Sequence, residues 1–149
     1  MILDNSNSRS GLLARFVFLL ARKIIFFQTQ RGRAYPSRFS LKLLQYSADH
    51  GHVCAMSQLG GLLFQCGVGR ADKRSGLEYI RCAAKKNDCQ AQFLLGKAYH
   101  KGQLINQDTK SALHWLALAA DKGHKEAQSY LNVCLDAEQS SSAQSALAT

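Results

Sequence analysis

The chain has 149 residues, a formal net charge of +9 and one proline. This length suits a single domain rather than several. The charge is uneven, because residues 1–48 hold eight lysines and arginines against Asp4 alone, a balance of +7, while the rest of the chain is close to neutral at +2. A basic arm of this kind contacts nucleic acid or an anionic membrane surface, or it is a solvated basic end of the fold.

The cysteines form no recognisable site. They stand at positions 54, 66, 82, 89 and 134, with no C-x-x-C pair and an odd count. This excludes the usual zinc spacing and a complete disulfide framework. Free cysteines within helices usually act as small buried apolar groups. The pattern therefore favours a reducing compartment, such as the cytoplasm, and leaves a membrane-associated location open.

The N-terminal part of the chain divides into two segments. Residues 1–10 are polar and are predicted to be disordered. Residues 11–30 are apolar and basic. Within residues 11–27 the longest stretch without a charge, Phe16 to Ala21, is far shorter than the roughly 20 residues of a transmembrane helix. Three interpretations of residues 11–30 stay open: the first helix of a degenerate repeat, a membrane-surface anchor, or an organelle presequence.

The next part of the chain contains a sequence repeat with a period of 36 residues. Four columns and one pair recur at this offset: Ala55, Ala91 and Ala127; Leu59, Leu95 and Leu131; Leu41, Leu77 and Leu113; Leu43, Tyr79 and Trp115; and Ala83-Ala84 with Ala119-Ala120. A fixed period of about 20–50 residues is typical of repeat proteins, in which each unit buries its apolar face against its neighbours. We predict a repeat domain over residues 36–135 and a disordered tail over residues 136–149.

Each unit is predicted to be a pair of helices, and no strand is predicted. The first helices are expected at about 53–65, 89–101 and 125–135. The second helices are expected to start after the N-cap residues Asp72 and Asp108, and the earliest of them after Pro36.

Glycine and asparagine mark the predicted turns. Gly51, Asn87 and Gly123 are expected to end the second helices, because these residue types tolerate the left-handed conformation. The first helices are followed at 35-residue intervals by Gly32, Gly67 and Gly102.

These residues resemble the Sel-1-like repeat, a member of the tetratricopeptide-type helical superfamily, over about residues 41–131. The family pattern is met by Ala91, Leu95, Gly96, Tyr99, Gly102, Asp108, Ala112, Trp115, Ala119, Ala120, Gly123 and Ala127. The copy at 55–91 is weaker, since Gly76 replaces an alanine, Leu63 the tyrosine and Asn87 the glycine. The resemblance implies an all-α fold, a right-handed superhelix (α-solenoid) of antiparallel helix pairs, used as a protein-binding scaffold or adaptor.

The small and bulky positions have a physical interpretation. Gly60 and Gly96 each cost about 1 kcal/mol relative to alanine inside a helix, so their recurrence indicates a close approach of two backbones. Tyr79 and Trp115 are expected to fill space between helix pairs. If Trp115 is buried, truncating it should cost roughly 3–5 kcal/mol.

No motif points to catalysis, a cofactor or a metal. The five histidines (His50, His52, His100, His114 and His124) match no metal-binding pattern and are expected in turns and on the surface. The stretch Gly67-Val68-Gly69-Arg70 lacks the third glycine of a phosphate loop, and no serine is followed three positions later by a lysine. We expect no enzyme activity and no small-molecule substrate.

A partner-binding groove is predicted on the inner face of the first helices. Its residues are Ser57, Gly61, Phe64, Phe93, Lys97 and His100. Replacing Phe93 and Lys97 by alanine should then weaken partner capture without lowering the melting temperature. Alternatively, the two phenylalanines complete the packing between repeats. The expected partner is a protein or peptide; a membrane surface contacted by residues 11–30 and a homo-oligomer stay open, and nucleic acid is disfavoured because large aliphatics interrupt the basic residues.

Overall fold

Helices account for all the regular structure. The computed structural model describes the backbone of residues 6–31 and 36–146 and the side chains of residues 11–31 and 36–136. Seven α-helices and no strand occupy this part of the chain, so the all-α prediction is confirmed. The helices are α1 (Ser6–Gln30), α2 (Arg38–Asp49), α3 (Val53–Cys66), α4 (Arg70–Lys85), α5 (Cys89–Lys101), α6 (Thr109–Asp121) and α7 (Lys125–Ala146). Gly32 and the predicted disorder of residues 1–5 and 147–149 lie outside the described residues.

The helices form two compact units. Unit 1 is Met1–Lys86, in which α1 packs on α2, α2 on α3 and α3 on α4. Unit 2 is Asn87–Thr149, in which α5 packs on α6 and α6 on α7. The core of unit 1 is built on Phe18, Ala21, Leu44, Ala48, Ala55 and Leu59. The core of unit 2 is built on Phe93, Leu116, Ala119, Ala120, Ala127 and Cys134.

The alanine column of the repeat lies at the centre of the packing. Ala55, Ala91 and Ala127 are each 0% exposed. In contrast, Tyr79 and Trp115 are only partly buried. A smaller truncation cost than that of a fully buried tryptophan is therefore expected for Trp115, because part of its surface keeps its contact with water.

Helices α3 and α4 approach each other closely where Gly60 faces Gly76. A Cβ atom added to Gly60 would lie 2.9 Å from the carbonyl oxygen of Gly76, and one added to Gly76 would lie 2.6 Å from the backbone nitrogen of Phe64. Both distances are too short for a real contact, and the obstacle is backbone, which cannot swing aside. The glycine that weakens the sequence match at position 76 is thus required by the packing of this pair.

The equivalent crossing of α5 and α6 is less tight. A Cβ added to Gly96 would meet the side chain of Leu116 at 2.8 Å and the carbonyl oxygen of Ala112 at 3.2 Å. The nearest obstacle here is a side chain, and the carbonyl oxygen of Ala112 lies 3.2 Å from the added Cβ, compared with 2.9 Å for that of its equivalent, Gly76, at the α3–α4 crossing.

One column of side chains caps the first helices. The backbone N–H groups of Ala55, Ala91 and Ala127 donate respectively to His52 Nδ1 (3.2 Å), Asp88 Oδ1 (2.8 Å) and His124 Nδ1 (3.2 Å). The acceptors stand 36 residues apart. A ring nitrogen that accepts a hydrogen bond carries no proton, so these caps require neutral histidines. Sequence reasoning, which expected turn and surface histidines, missed this role.

The second helices confirm most of the predicted boundaries and correct one. Asp108 caps α6 as predicted, and its Oδ1 accepts the backbone N–H of Ser111. Helix α4, however, begins at Arg70 with Gly69 as N-cap, so the predicted start after Asp72 is wrong. Asp72 lies in the first turn of α4, where its negative charge still favours the helix N-terminus.

The turns that close the second helices have the backbone conformation that the sequence predicted. Gly51, Asn87 and Gly123 have φ angles of 85°, 72° and 80°. At Asn87 a further contact holds the turn: the Lys122 ammonium donates to the Asn87 backbone oxygen (2.7 Å) and to Gln92 Oε1 (2.9 Å), and it also contacts the Asn87 side-chain oxygen. One side chain at the end of α6 thereby ties it to the turn that precedes α5.

The terminal helices are longer than predicted. Helix α7 continues past the expected end at residue 135 to Ala146, through part of the predicted tail. No glycine or proline follows Gly123, so no residue in this stretch stops a helix. Helix α1 begins at Ser6 and is antiparallel to α2: the Ser47 hydroxyl donates to the Ala14 carbonyl (2.7 Å), and the Gln28 amide donates to Ser37 Oγ (2.9 Å). No described helix combines the length and apolar character needed to cross a membrane.

The crossing of α3 and α4 generates a stability prediction. Gly76→Ala should lower the free energy of unfolding by about 1–3 kcal/mol, because the cost of overpacking exceeds the gain in helix propensity. Gly11→Ala in α1 is the matched control, since its added Cβ meets nothing within 4 Å. It should raise the free energy of unfolding by about 0.5–1 kcal/mol. Urea denaturation measures both changes in the free energy of unfolding. A stabilised Gly76→Ala protein would contradict the close approach of α3 and α4 at this position.

The cap at His52 generates a pH prediction. Burial, and then the positive charge of Arg15, lower the pKa of His52 from its ordinary value of 6.5. As pH falls, the unfolded chain therefore binds the proton first, so the stability from neutral His52 is complete above pH 6.5 and is lost as pH falls through the folded-state pKa.

In His52→Asn the side-chain oxygen still caps α3 but does not titrate. Urea denaturation at about pH 7.5 and about pH 5 should therefore show a smaller loss of stability for the variant than for the unchanged chain. Equal losses in the two proteins would show that His52 does not carry this part of the pH dependence.

Candidate functional site

The six predicted groove residues fall into two sets, one in each unit. In unit 1, Ser57 is buried, with 3% of its surface exposed, and its hydroxyl has no hydrogen-bond partner among the described residues. Gly61 and Phe64 are partly buried. In unit 2, Phe93 is buried and Lys97 and His100 are partly buried.

The three residues of unit 2 meet around Tyr130 of α7. The rings of Phe93 and Tyr130 pack edge to face with their centroids 6.3 Å apart. The Lys97 ammonium lies 5.0 Å from the Phe93 centroid and 5.7 Å from the Tyr130 centroid. His100 approaches the other side of Tyr130, with Nδ1 3.0 Å from the phenolic oxygen. The structure thus joins residues of α5 that the sequence selected to a tyrosine that it did not.

The burial of Phe93 corrects one expectation. Its ring belongs to the core of unit 2 and stacks on His124 with the centroids 4.8 Å apart. His124 is held in place at both nitrogens, since Nε2 lies 2.8 Å from Gln90 Oε1 while Nδ1 caps α7. Truncation of Phe93 therefore removes core packing, so we now expect Phe93→Ala with Lys97→Ala to lower the melting temperature and not to leave it unchanged.

A shallow depression of about 400 Å³ opens beside this cluster. Its lining residues are Phe93, Lys125, Glu126, Ser129, Tyr130 and Val133. We name these six residues, together with Lys97, the α5–α7 surface. Val133 is 65% exposed, so this surface offers an apolar contact to the solvent beside the partly buried ring of Tyr130.

The 36-residue period of the sequence also selects two residues of the α5–α7 surface that were not predicted as groove residues. Ser129 and Val133 stand 36 residues after Phe93 and Lys97, so they are the third copy of the predicted groove positions. Extending the offset by one more step would have selected them. Tyr130 has no such signal, because its equivalent in α5 is the buried Leu94.

The chemistry of the α5–α7 surface is cationic and aromatic. A lysine held over two ring faces is attracted by the electrons of both rings, and it keeps donors for an acidic group. Burial, followed by the nearby Cys134, raises the pKa of Tyr130 above its ordinary value of 10.0, so its hydroxyl stays protonated at neutral pH. The surface therefore combines a positive charge, a hydroxyl and an exposed aliphatic side chain.

Nothing in the described part of the chain forms a metal centre, since no three His, Cys, Asp or Glu side chains come together there. The cysteines correct another expectation. None of the five forms a disulfide, but only Cys134 is buried, whereas Cys54, Cys66 and Cys82 are exposed. Burial as small apolar groups therefore describes one cysteine of the five.

The two roles of the cluster can be separated by mutation. Phe93→Ala should lower the free energy of unfolding by about 3–5 kcal/mol, because a buried ring is lost from the core. Lys97→Ala should lower it by less than about 1 kcal/mol, since a partly exposed cation–π contact is weak. Thermal or urea denaturation checks both values. Equal losses would mean that Lys97 is a core residue instead of a surface residue.

Comparison with known proteins agrees with this architecture. Residues 55–88 and 89–124 each match the family model of the Sel1 repeat. No curated protein matches the chain. Among solved structures, the chain is similar to a Sel1 repeat protein from Oxalobacter formigenes, with 26% sequence identity and a TM-score of 0.66 over 85% of this chain and 92% of that one.

A second similar structure is a protective antigen present in uropathogenic Escherichia coli strains, which displays an SLR fold. Its sequence identity is 27% and its TM-score 0.69, and the match covers 83% of this chain but only 26% of the antigen. Proteins with these repeats are typically scaffolds for protein interactions and are generally not enzymes. From the tandem helix pairs, the two matched stretches and these neighbours, we conclude that residues 55–124 hold two consecutive Sel1 repeats and that the chain has the fold of the Sel1 repeat structures it resembles.

Proposed function

We propose that this chain is a non-catalytic scaffold or adaptor that binds a partner protein or peptide on the α5–α7 surface. The observation that supports the proposal is the position of Lys97 over the rings of Phe93 and Tyr130, next to the exposed Val133. Aromatic residues that combine a large apolar area with a polar group are typical of binding hot spots.

The partner that suits this surface is a peptide with an apolar side chain beside an acidic group. The apolar side chain would cover Val133 and the edge of Tyr130, and the carboxylate would accept hydrogen bonds from Lys97 or Lys125. Glu126 at the rim disfavours a second acidic group close by, because like charges repel. The residues of unit 1, Ser57, Gly61 and Phe64, remain predicted groove positions with the same role.

The proposal is tested by selecting peptides from a displayed random library on the immobilised full chain. Lys97→Gln combined with Val133→Glu should weaken the selected peptides by about 10-fold or more, as expected for a central charge and an apolar contact. The variant should keep its melting temperature, since both side chains reach the solvent.

A matched control makes the same changes in unit 1, as Lys85→Gln with Val68→Glu, where both side chains are exposed. Peptides that bind the α5–α7 surface should bind this control at full strength. Equal losses in the two variants, or no loss in either, would overturn the proposal.

A second candidate, an adaptor held at a membrane surface by residues 11–30, is favoured by a separate observation. Helix α1 presents large apolar side chains to the solvent, and three of them, Leu12, Phe16 and Phe26, are more than 60% exposed. This candidate is independent of the α5–α7 surface. In this candidate, α1 contacts the membrane and the repeats bind the peptide.

A further inference from the structure

Helix α1 carries an apolar face that no described part of the chain covers. Its members are Leu12, Phe16, Leu19, Leu20, Phe26 and Phe27, each between 42% and 65% exposed. They recur at spacings of three, four and seven residues, which places them along one side of a helix. We name these six residues the α1 apolar face.

The opposite side of α1 is fixed in the core of unit 1. Ala14, Phe18 and Ala21 are buried, with at most 6% of their surface exposed. The Ser47 hydroxyl holds the Ala14 carbonyl (2.7 Å), and the Phe18 ring stacks on His52 with the centroids 4.4 Å apart. Helix α1 therefore cannot rotate to bury the α1 apolar face without losing this packing.

The charges of α1 are all positive. Its sequence, Ser6–Gln30, contains no aspartate or glutamate. Arg15 and Arg22 are exposed and stand seven residues apart, where the α1 apolar face meets the buried side, and Lys23 is exposed within the face. At the C-terminal end, the Arg31 guanidinium lies 4.3 Å from the Phe27 centroid. The face thus combines apolar side chains with cations and has no anion.

We infer that α1 lies flat on an anionic phospholipid bilayer, with the α1 apolar face in the acyl-chain boundary and its basic residues at the lipid phosphates. This inference rests on the membrane-surface candidate and adds the class of lipid. Large apolar side chains partition into the interface, and long arginine and lysine side chains reach from it to the headgroups. Anionic lipids attract nearby basic residues, so both parts of the face contribute to binding.

Charge favours a bilayer over a second copy of this chain. Two α1 apolar faces packed together would bring Lys23 of one copy against the basic residues of the other, with no acidic side chain in either helix to pair with them. Like charges in a contact of low polarity are unfavourable. An anionic lipid surface instead supplies the missing negative charge.

The test is co-sedimentation of the full chain with vesicles of phosphatidylcholine alone and of phosphatidylcholine with phosphatidylserine. We expect binding to the anionic vesicles, weakened by salt, and much weaker binding to the neutral ones. Arg15→Gln with Arg22→Gln should lower the partition coefficient on anionic vesicles by roughly 10- to 30-fold. Phe16→Gln with Leu20→Gln should lower it by about 10-fold or more.

The control variant is Val68→Gln with Arg74→Gln, which removes one exposed apolar and one exposed basic side chain of unit 1 outside α1. It should bind as the unchanged chain does. Circular dichroism establishes whether each variant is folded. If the variant with Phe16→Gln and Leu20→Gln does not fold, the inference is tested by the arginine variant alone.

The possible failures are distinguishable. No binding to either vesicle would overturn the inference together with the membrane-surface candidate. Equal binding to neutral and anionic vesicles, unchanged in the arginine variant, would overturn the anionic lipid and leave that candidate standing. Dimerisation without lipid that is abolished by the Phe16 and Leu20 changes would overturn the inference in favour of a second copy.

Discussion

The close crossing of paired helices is the constraint on which the rest of the structure depends. Between α3 and α4 the backbones meet at Gly60 and Gly76, and neither position has room for one more carbon atom. The glycines cost helix propensity, but the close approach that they permit packs α3 tightly against α4. Helices α5 and α6 reach a similar contact through Gly96 and the side chain of Leu116.

The turns before the first helices share one local design. Gly51, Asn87 and Gly123 have the left-handed conformation, and the next residue, a histidine or an aspartate, caps the following helix. The N–H group that each cap binds belongs to a residue of the buried alanine column. The start of each first helix and its position in the core are therefore determined together.

The repeats differ from one another at positions that lie outside the helix–helix crossings. One column holds Ser57, Phe93 and Ser129, and only the phenylalanine builds an aromatic cluster with its neighbours. The α5–α7 surface and the α1 apolar face also differ in chemistry. The α5–α7 surface combines a lysine with ring faces, and the α1 apolar face combines arginines with aliphatic and aromatic side chains. The proposed adaptor role assigns a different kind of partner to each of these two surfaces.

The sequence by itself determined the helical class, the period and most helix ends, because these depend on local spacing, on caps and on backbone conformations that few residue types tolerate. It misplaced the start of α4, since an aspartate in the first turn resembles a cap. Only the tertiary structure decided that Phe93 is buried, that Trp115 is partly buried, and that Tyr130 completes the candidate site. Burial depends on which surfaces meet across helices, and a pattern within one helix identifies an apolar face without identifying what covers it.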